Sequence, residues 1–347
     1  MTALPVPEQR DQAARVPAVP WRRMTWVTWR QHRMMLAGVV AMLGAVGLYL
    51  LKTGLQIHHA FAATTAACPH FSGWNCQQAL AFLSLQYGSG TGMILVAALL
   101  QVVPALIGAF VGAPVLAREF ETGTFRYTWS QGFGRARWAA AKLALLAVAV
   151  AAVAEAFSLV FSWCYGPIIG APRYSALGST TFDLRGVVLA AWTLAAFAIG
   201  ALAGVLIRRV VPAMAATLAA WTGLALATGL YLRRHYETPL VTSHPNVAPS
   251  AWVVGQWWTR GGQPASLSTI NQILQSGPGG AQASGSVPGS VDPAQYHYLI
   301  QHGFTEWTSY QPASRFWPFQ FIEGGWLLVL SLLLIAATVW VVRRRAA

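Results

Sequence analysis

The sequence predicts an all-α membrane protein of six transmembrane helices, and three observations carry that expectation. Only 10% of its 347 residues are charged and 55% are hydrophobic, against about 25% charged in an ordinary soluble domain. Six apolar runs, Met34 to Leu55, Thr91 to Ala117, Ala139 to Tyr165, Val187 to Ile207, Val210 to Leu232 and Gly324 to Val342, each approach or exceed the roughly 20 residues with which a helix crosses about 30 Å of hydrocarbon. Lys and Arg are shared unevenly between the two sides that these spans define. The N-terminal tail, the Arg118 to Lys142 region, the Arg208-Arg209 link and the C-terminal tail hold 16 of the 23, so the positive-inside rule puts both termini in the cytoplasm.

Taken in order, residues 1–20 are rich in Pro and Ala and are expected as a disordered cytoplasmic tail. No short apolar core with a small-residue cleavage site occurs there, so the first span is expected to stay in the mature protein. Next, WRRMTWVTWRQHR (21–33) sets Trp21, Trp26 and Trp29 among Arg22, Arg23, Arg30 and Arg33. That is the composition of an interfacial anchor helix lying in the headgroup layer, the alternative being an ordinary basic flank of the span. Cys68 and Cys76 share the first outer loop and Cys164 sits at the outer end of the third span, all on the side where oxidation is possible. A Cys68 to Cys76 disulfide is the expected pairing because both lie in one short loop, with three free thiols as the alternative. Only His70 lies between them and there is no C-x-x-C pair, so no metal site is expected.

The second span carries Gln101, Pro104 and Pro114, and its prolines remove backbone donors and can bend so long a helix. Glu155, in AAVAEAFSLVF, falls well inside the third. A carboxylate at that depth costs at least a few kcal/mol and must face protein or water, which makes Gln101 and Glu155 candidate pathway residues; the alternative for Glu155 is a protonated or hydrogen-bonded structural role. Between these spans lies REFETGTFRYTWSQGFGRARW (118–138). Gly123 followed by Thr124 can end one helix and cap the next. Glu119 and Glu121 with Arg118, Arg126, Arg135 and Arg137 offer a mixed-charge face, and Phe120, Phe125, Tyr127 and Trp129 offer apolar anchors. Such a knob is what a partner protein grips; the alternative is a solvated hairpin whose charges only set topology. Beyond the fifth span, residues 233–323 form a large extracellular segment with a flexible Gly/Ser/Pro insert at 276–293. Its aromatic patches, AWVVGQWWT (251–259) and SRFWPFQF (314–321), suit anchoring on the bilayer surface or capping a pathway. Residues 324–347 supply the sixth span and a basic tail.

Several chemistries are excluded. Lys52 and Lys142 are the only lysines and neither closes a G-x-x-x-x-G-K-[ST] loop, so the chain has no phosphate cradle of that kind. No H-E-x-x-H or G-x-S-x-G motif occurs, and paired intramembrane carboxylates are absent. No catalytic residue, metal ligand or cofactor is therefore assigned to this chain. The net charge of +13 sits mostly beside span ends, where anionic lipid headgroups meet it, so membrane lipids and not nucleic acid are the expected contacts.

The stretch 118–138 resembles the cytoplasmic coupling region of type-2 ABC (ATP-binding cassette) exporter permeases, the six-span family of bacterial drug and antibiotic exporters. MTWVTWRQHR (24–33) and QPASRFWPFQFIEGG (311–325) resemble recurrent segments of a bacterial subgroup of that family. The resemblance implies a multi-pass protein of the bacterial plasma membrane exporting a hydrophobic or amphipathic drug, antibiotic or lipid-like substrate. It implies a separate cytoplasmic ATPase holding ATP and Mg, a second permease completing a homo- or heterodimer, and docking of the ATPase on a coupling helix at Glu119, Phe120, Glu121, Gly123, Thr124, Phe125 and Arg126. The long outer segment departs from the better-known exporters and leaves the cargo unread. The alternatives are a membrane sensor or scaffold with a ligand-binding extracellular segment, and a membrane enzyme acting on lipid or peptide.

Overall fold

The computed structural model describes residues 21–67, 78–79, 82–88, 91–122, 135–169, 175–243, 247–248, 250–277 and 293–345. Helix α1 runs Trp21–Ala67 without a break, about 70 Å at 1.5 Å per residue. The expected interfacial helix and first span are therefore consecutive turns of one rod, which also continues past Leu55 to Ala67. The side chains of the anchor residues Trp21 to Arg33 lie outside the described residues, as do Cys68 and Cys76. The extension past Leu55 is held by α4, Arg135–Ile169: His58 stacks on Trp163 at 4.9 Å, and a ring nitrogen of His58 lies 2.9 Å from the Trp163 carbonyl.

The second span is α2, Thr91–Ile107, a π-helical turn at Gly108–Gly112, and α3, Pro114–Thr122. Pro104 has no N–H to give its helix and Pro114 opens α3. Between them the ladder widens, with Ala113 N–H donating to Gly108 O at 2.9 Å, the single-turn insertion by which a helix absorbs such breaks. Helices α5, Val188–Ile207, and α6, Val210–Leu230, follow, and α9, Phe316–Arg345, closes the chain. Arg208 ends α5 in the left-handed conformation with φ 59°, and extended Arg209 leads directly into α6. Hydroxyls within these apolar helices return to their own backbone: Thr193, Thr217, Thr228, Ser331 and Thr338 each donate to the carbonyl four residues earlier, which spares them an unpaired burial.

Among the described residues five helices are long and apolar enough to cross a membrane: Met93–Thr122, Arg137–Ile169, Val188–Ile207, Val210–His235 and Ala313–Arg344. The first expected span, Met34 to Leu55, falls within α1 and is not one of these five. Helix α5 is the centre of the bundle, 61% buried where α6 is 11%. Its Gly200 and Gly204 face the second span so closely that a Cβ on Gly200 would sit 2.2 Å from Gly108 O and 2.7 Å from Ala113 N, and one on Gly204 would sit 2.4 Å from Ala113 O. From the other side, a Cβ on Gly108 would meet Ala196 O at 2.6 Å and one on Gly112 would meet Phe197 O at 2.6 Å. Two small-x-x-x-small pairs thus bring backbone against backbone, the packing by which helices associate in lipid.

The all-α expectation is corrected within residues 233–323. Strands β1 (Leu240–Thr242), β2 (Trp252–Arg260), β3 (Gln263–Pro264) and β4 (Phe304–Gln311) form an antiparallel sheet in the order β1-β4-β2-β3. Gly261 and Gly262, at φ 57° and 80°, make the tight turn between β2 and β3 that residues with side chains resist. Helices α7 (Leu267–Gln275) and α8 (Pro293–Gln301) join the sheet around Trp258, Ile270, Leu274, Leu299 and Phe304. The patch 251–259 is thus chiefly a strand, with Trp258 in this core; 314–321 begins the last helix. β-branched and aromatic residues in alternation favour a pleated surface once helices exist to cover one face.

Gly200→Ala is expected to lower the thermal unfolding midpoint in detergent, at a cost of about 1–3 kcal/mol typical of overpacking, whereas Gly223→Ala, with nothing within 4 Å of its Cβ position, is expected to be neutral. Equal midpoints for the two variants would show that the seam does not set the packing.

Candidate functional site

At the end of the bundle that carries Arg208, Arg209 and Arg343 to Arg345, the second span finishes in Arg118–Thr122, where Glu119 is half-buried and Glu121 is exposed, yet each bonds to a neighbouring helix. Lys142 of α4, only 5% exposed, lies 2.6 Å from Glu119 Oε1 and also donates to Val115 O at 3.0 Å, so the same ammonium ties a side chain and a carbonyl of α3. Glu121 Oε2 accepts from the Val210 N–H at 3.2 Å, a carboxylate at the positive end of α6. Phe120 packs against the apolar cluster that includes Val115, Leu116, Ala139 and Val342, and the Arg208 guanidinium lies 5.8 Å from its ring. Of the seven expected ATPase-docking residues, Glu119, Phe120 and Glu121 are therefore engaged by their own chain; Gly123, Thr124, Phe125 and Arg126 lie outside the described residues.

At the opposite end a second polar cluster is buried. Glu323, fully buried on α9, is saturated: Oε1 accepts from Trp192 Nε1 at 2.9 Å and Arg233 Nη2 at 2.7 Å, and Oε2 accepts from Arg233 Nε at 2.9 Å and the Tyr236 hydroxyl at 3.1 Å. Arg233 also donates to Asp183 Oδ1 and lies over the Phe182 ring at 4.4 Å. The 178–187 linker is strapped to the same helix by Gln320, whose Oε1 accepts from Val188 N–H at 3.1 Å and whose Nε2 donates to Phe182 O at 3.0 Å. Gly186, at φ 66°, admits that amide: a Cβ there would sit 2.6 Å from Gln320 Oε1. Burial pushes the Asp183 carboxyl up to about 6; repulsion from Glu323 adds to this and the Arg233 guanidinium opposes it. Burial and Glu323 likewise raise the Tyr236 phenol.

This cluster ends a cavity of about 420 Å³ between α2, α5 and α6. Its walls include Pro104, Leu189, Trp192, Trp221 and Leu226, with Asp183 and Arg233 at the polar end. The two indoles meet edge to face at 5.9 Å, and Trp221 Nε1 is buried with no hydrogen-bond partner among the described residues. Of the two expected pathway residues, Gln101 lines the cavity and Glu155 does not; the structure does not bring them together. Cys164 is buried with a free thiol.

Asp183, Arg233, Glu323 and the two tryptophans were not singled out by sequence reasoning, in which Arg233 and Glu323 are only the bounds of the expected extracellular segment. A usable signal existed: acids are scarce, and Asp183 and Glu323 both stand at the mouth of an apolar run.

A helical membrane bundle with charged groups buried at both ends and a cavity between its spans is the class of protein that these features define. The particular family follows from comparison: residues 40–233 match the family described as ABC-2 membrane transporter related. That is more than half of the 347 residues, and the chain belongs to this family, one of multi-pass membrane permeases. The sheet-bearing unit and the last helix lie beyond the matched region. No curated protein and no solved structure matches the chain.

Removing the ammonium alone, in Lys142→Met, is expected to cost about 3 kcal/mol because Glu119 is left unpaired; the double variant with Glu119→Leu should recover most of that loss in a thermal unfolding series. Asp183 holds its proton more tightly folded than unfolded, so its contribution to stability is greatest below the ordinary value of 3.8 and declines as pH rises to about 6. The unfolding midpoint of the wild type relative to Asp183→Asn should fall across that window and stay level above it; a flat difference from pH 4 to 7 would contradict this.

Proposed function

We propose that this chain is the transmembrane permease subunit of an ABC exporter in the bacterial plasma membrane, moving a hydrophobic or amphipathic substrate outward. A separate cytoplasmic ATPase, which holds ATP and Mg, docks on the 118–138 segment, and a second permease completes the pathway. Both termini lie in the cytoplasm. No catalytic step is assigned to this chain; its work is to convert a push from the ATPase into a rearrangement of spans.

The observation that carries the reading is the family match over 40–233. The bracing described above supports its mechanical part. Because Glu119 holds α4 through Lys142 and Glu121 holds the start of α6, a force applied at 118–138 reaches the second, third and fifth expected spans together. Rigid-body displacement of packed helices is the usual form of such coupling. Helix α6, with only 11% of its apolar window covered, leaves room for lipid or a second permease. The outer unit, with its own core around Trp258 and Phe304, favours one other reading, a sensor or scaffold that binds a ligand there without an ATPase.

Reconstituted with its ATPase, the wild-type chain is expected to stimulate ATP turnover, and Glu121→Ala and Gly123→Pro are expected to reduce that stimulation several-fold while the chain still inserts and folds. Undiminished turnover in both variants, or function that persists without any ATPase, would turn the choice to the sensor reading.

A further inference from the structure

The polar end of the cavity carries an unbalanced charge. Glu323 is 0% exposed and uses both oxygens, meeting Arg233 in a two-point pair through Nε and Nη2. That pair is self-sufficient, since a bidentate carboxylate neutralises the guanidinium with matched geometry. Asp183 is therefore surplus. Its Oδ1 shares Arg233 Nη2, whereas its second oxygen has no hydrogen bond among the described residues and the side chain keeps 26% exposure. One guanidinium and two carboxylates leave a net charge of minus one at the mouth of a mostly apolar hollow, whose other polar side chains, Gln101 and Thr222, are uncharged. Arg185, the nearest other basic residue in the linker, does not line the cavity; its guanidinium sits 5.1 Å from the Phe316 ring instead.

The walls match this charge. Trp192 and Trp221 both line the cavity and stand nearly perpendicular, at 73°, and indole faces are the best aromatic partners for a cation. Trp192 is fixed in place because its Nε1 donates to Glu323, so the group that neutralises Arg233 also orients one wall. Pro104, Leu189 and Leu226 complete an apolar body, and a volume of about 420 Å³ is within the usual range of small-molecule sites.

We propose that this cavity binds a monovalent amphipathic organic cation, its ammonium against the free oxygen of Asp183 and beside the Trp192 and Trp221 rings, its apolar part against Pro104, Leu189 and Leu226. The inference rests on the permease reading for what becomes of the ligand, and names the substrate class of that reading. Binding itself needs no ATPase.

The test uses the full chain purified in a non-ionic detergent at pH 7.5, with equilibrium dialysis of three probes of one shape: benzyltrimethylammonium, its uncharged carbon isostere neopentylbenzene, and benzenesulfonate as the anion. Saturable binding of the cation, at least about tenfold tighter than the isostere as expected of a partly desolvated charge beside a carboxylate and an indole, supports the site. Asp183→Asn should remove that preference, Asp183→Glu should retain it, and Trp221→Leu should weaken cation binding several-fold. Equal affinity for cation and isostere, preference for the anion, or an unchanged preference in Asp183→Asn overturns the proposal. Should Asp183→Asn fail to fold, the wild-type comparison of probes and Trp221→Leu still decide it. Failure of the two readings is distinguishable: a chain that stimulates its ATPase but shows no cation preference loses the site and keeps the permease assignment. One that binds the cation but neither stimulates an ATPase nor moves the probe in proteoliposomes keeps the site and loses that assignment.

Discussion

The close approach of α5 to the second span is the constraint on which the rest of the bundle depends. In lipid there is no hydrophobic gain in bringing two helices together, because the acyl chains are as apolar as the side chains they replace. Association has to come from contact itself, and contact is greatest where nothing stands between the backbones. Gly108, Gly112, Gly200 and Gly204 leave no side chain of their own in that seam. The widened turn at Gly108–Gly112 lies in the same place, so the disturbance that Pro104 and Pro114 introduce is used where the helices must mesh. With α5 thus fixed at the centre, α2 and α6 stand far enough apart to leave a hollow beside Leu189 and Trp192.

The charged groups at the two ends complete this arrangement by different means. Lys142 and Glu119 are a simple pair with a carbonyl as third partner, joining neighbouring spans where the chain leaves the apolar region. The Glu323 cluster is larger and more tightly enclosed, and it joins segments distant in sequence: Arg233 and Glu323 are 90 residues apart, Arg233 and Asp183 50. Such groups are costly to desolvate and add little net stability. What they supply is position, since only one arrangement satisfies Glu323 four times over while Gln320 serves two backbone groups of the linker. The sheet-bearing unit rests on the same helix: Arg315, at the entry to α9, bonds Thr238 O and pairs with Glu237 just before β1.

How much was legible in the sequence varies by element. The spans from Val187 to Ile207 and Val210 to Leu232 agree with α5 and α6 to within one or two residues, because a long apolar run has no other way to satisfy its backbone in lipid. The continuation of α1 to Ala67 was hidden, since His58 and His59 read as loop residues until Trp163 is placed beside one of them. The sheet was hidden for a similar reason. Trp258 and Phe304 belong to one core, but nothing in either segment names the other, and Trp-rich stretches read equally well as bilayer anchors. Within 118–138 the presence of Glu119 and Glu121 was plain, yet their partners, Lys142 and the Val210 N–H, were not.

Composition and the lengths of apolar runs, by themselves, determined that this chain lives in a membrane and roughly where it crosses. Those properties are local, because each residue's preference for hydrocarbon over water is independent of its distant neighbours. The pairing of charges, the glycine seam and the cavity were decided only by the tertiary structure. Each depends on which residue of another segment lies opposite: Arg233 looks like a flanking charge until Glu323 faces it, and Gly200 looks like a flaw in a helix until Gly108 meets it.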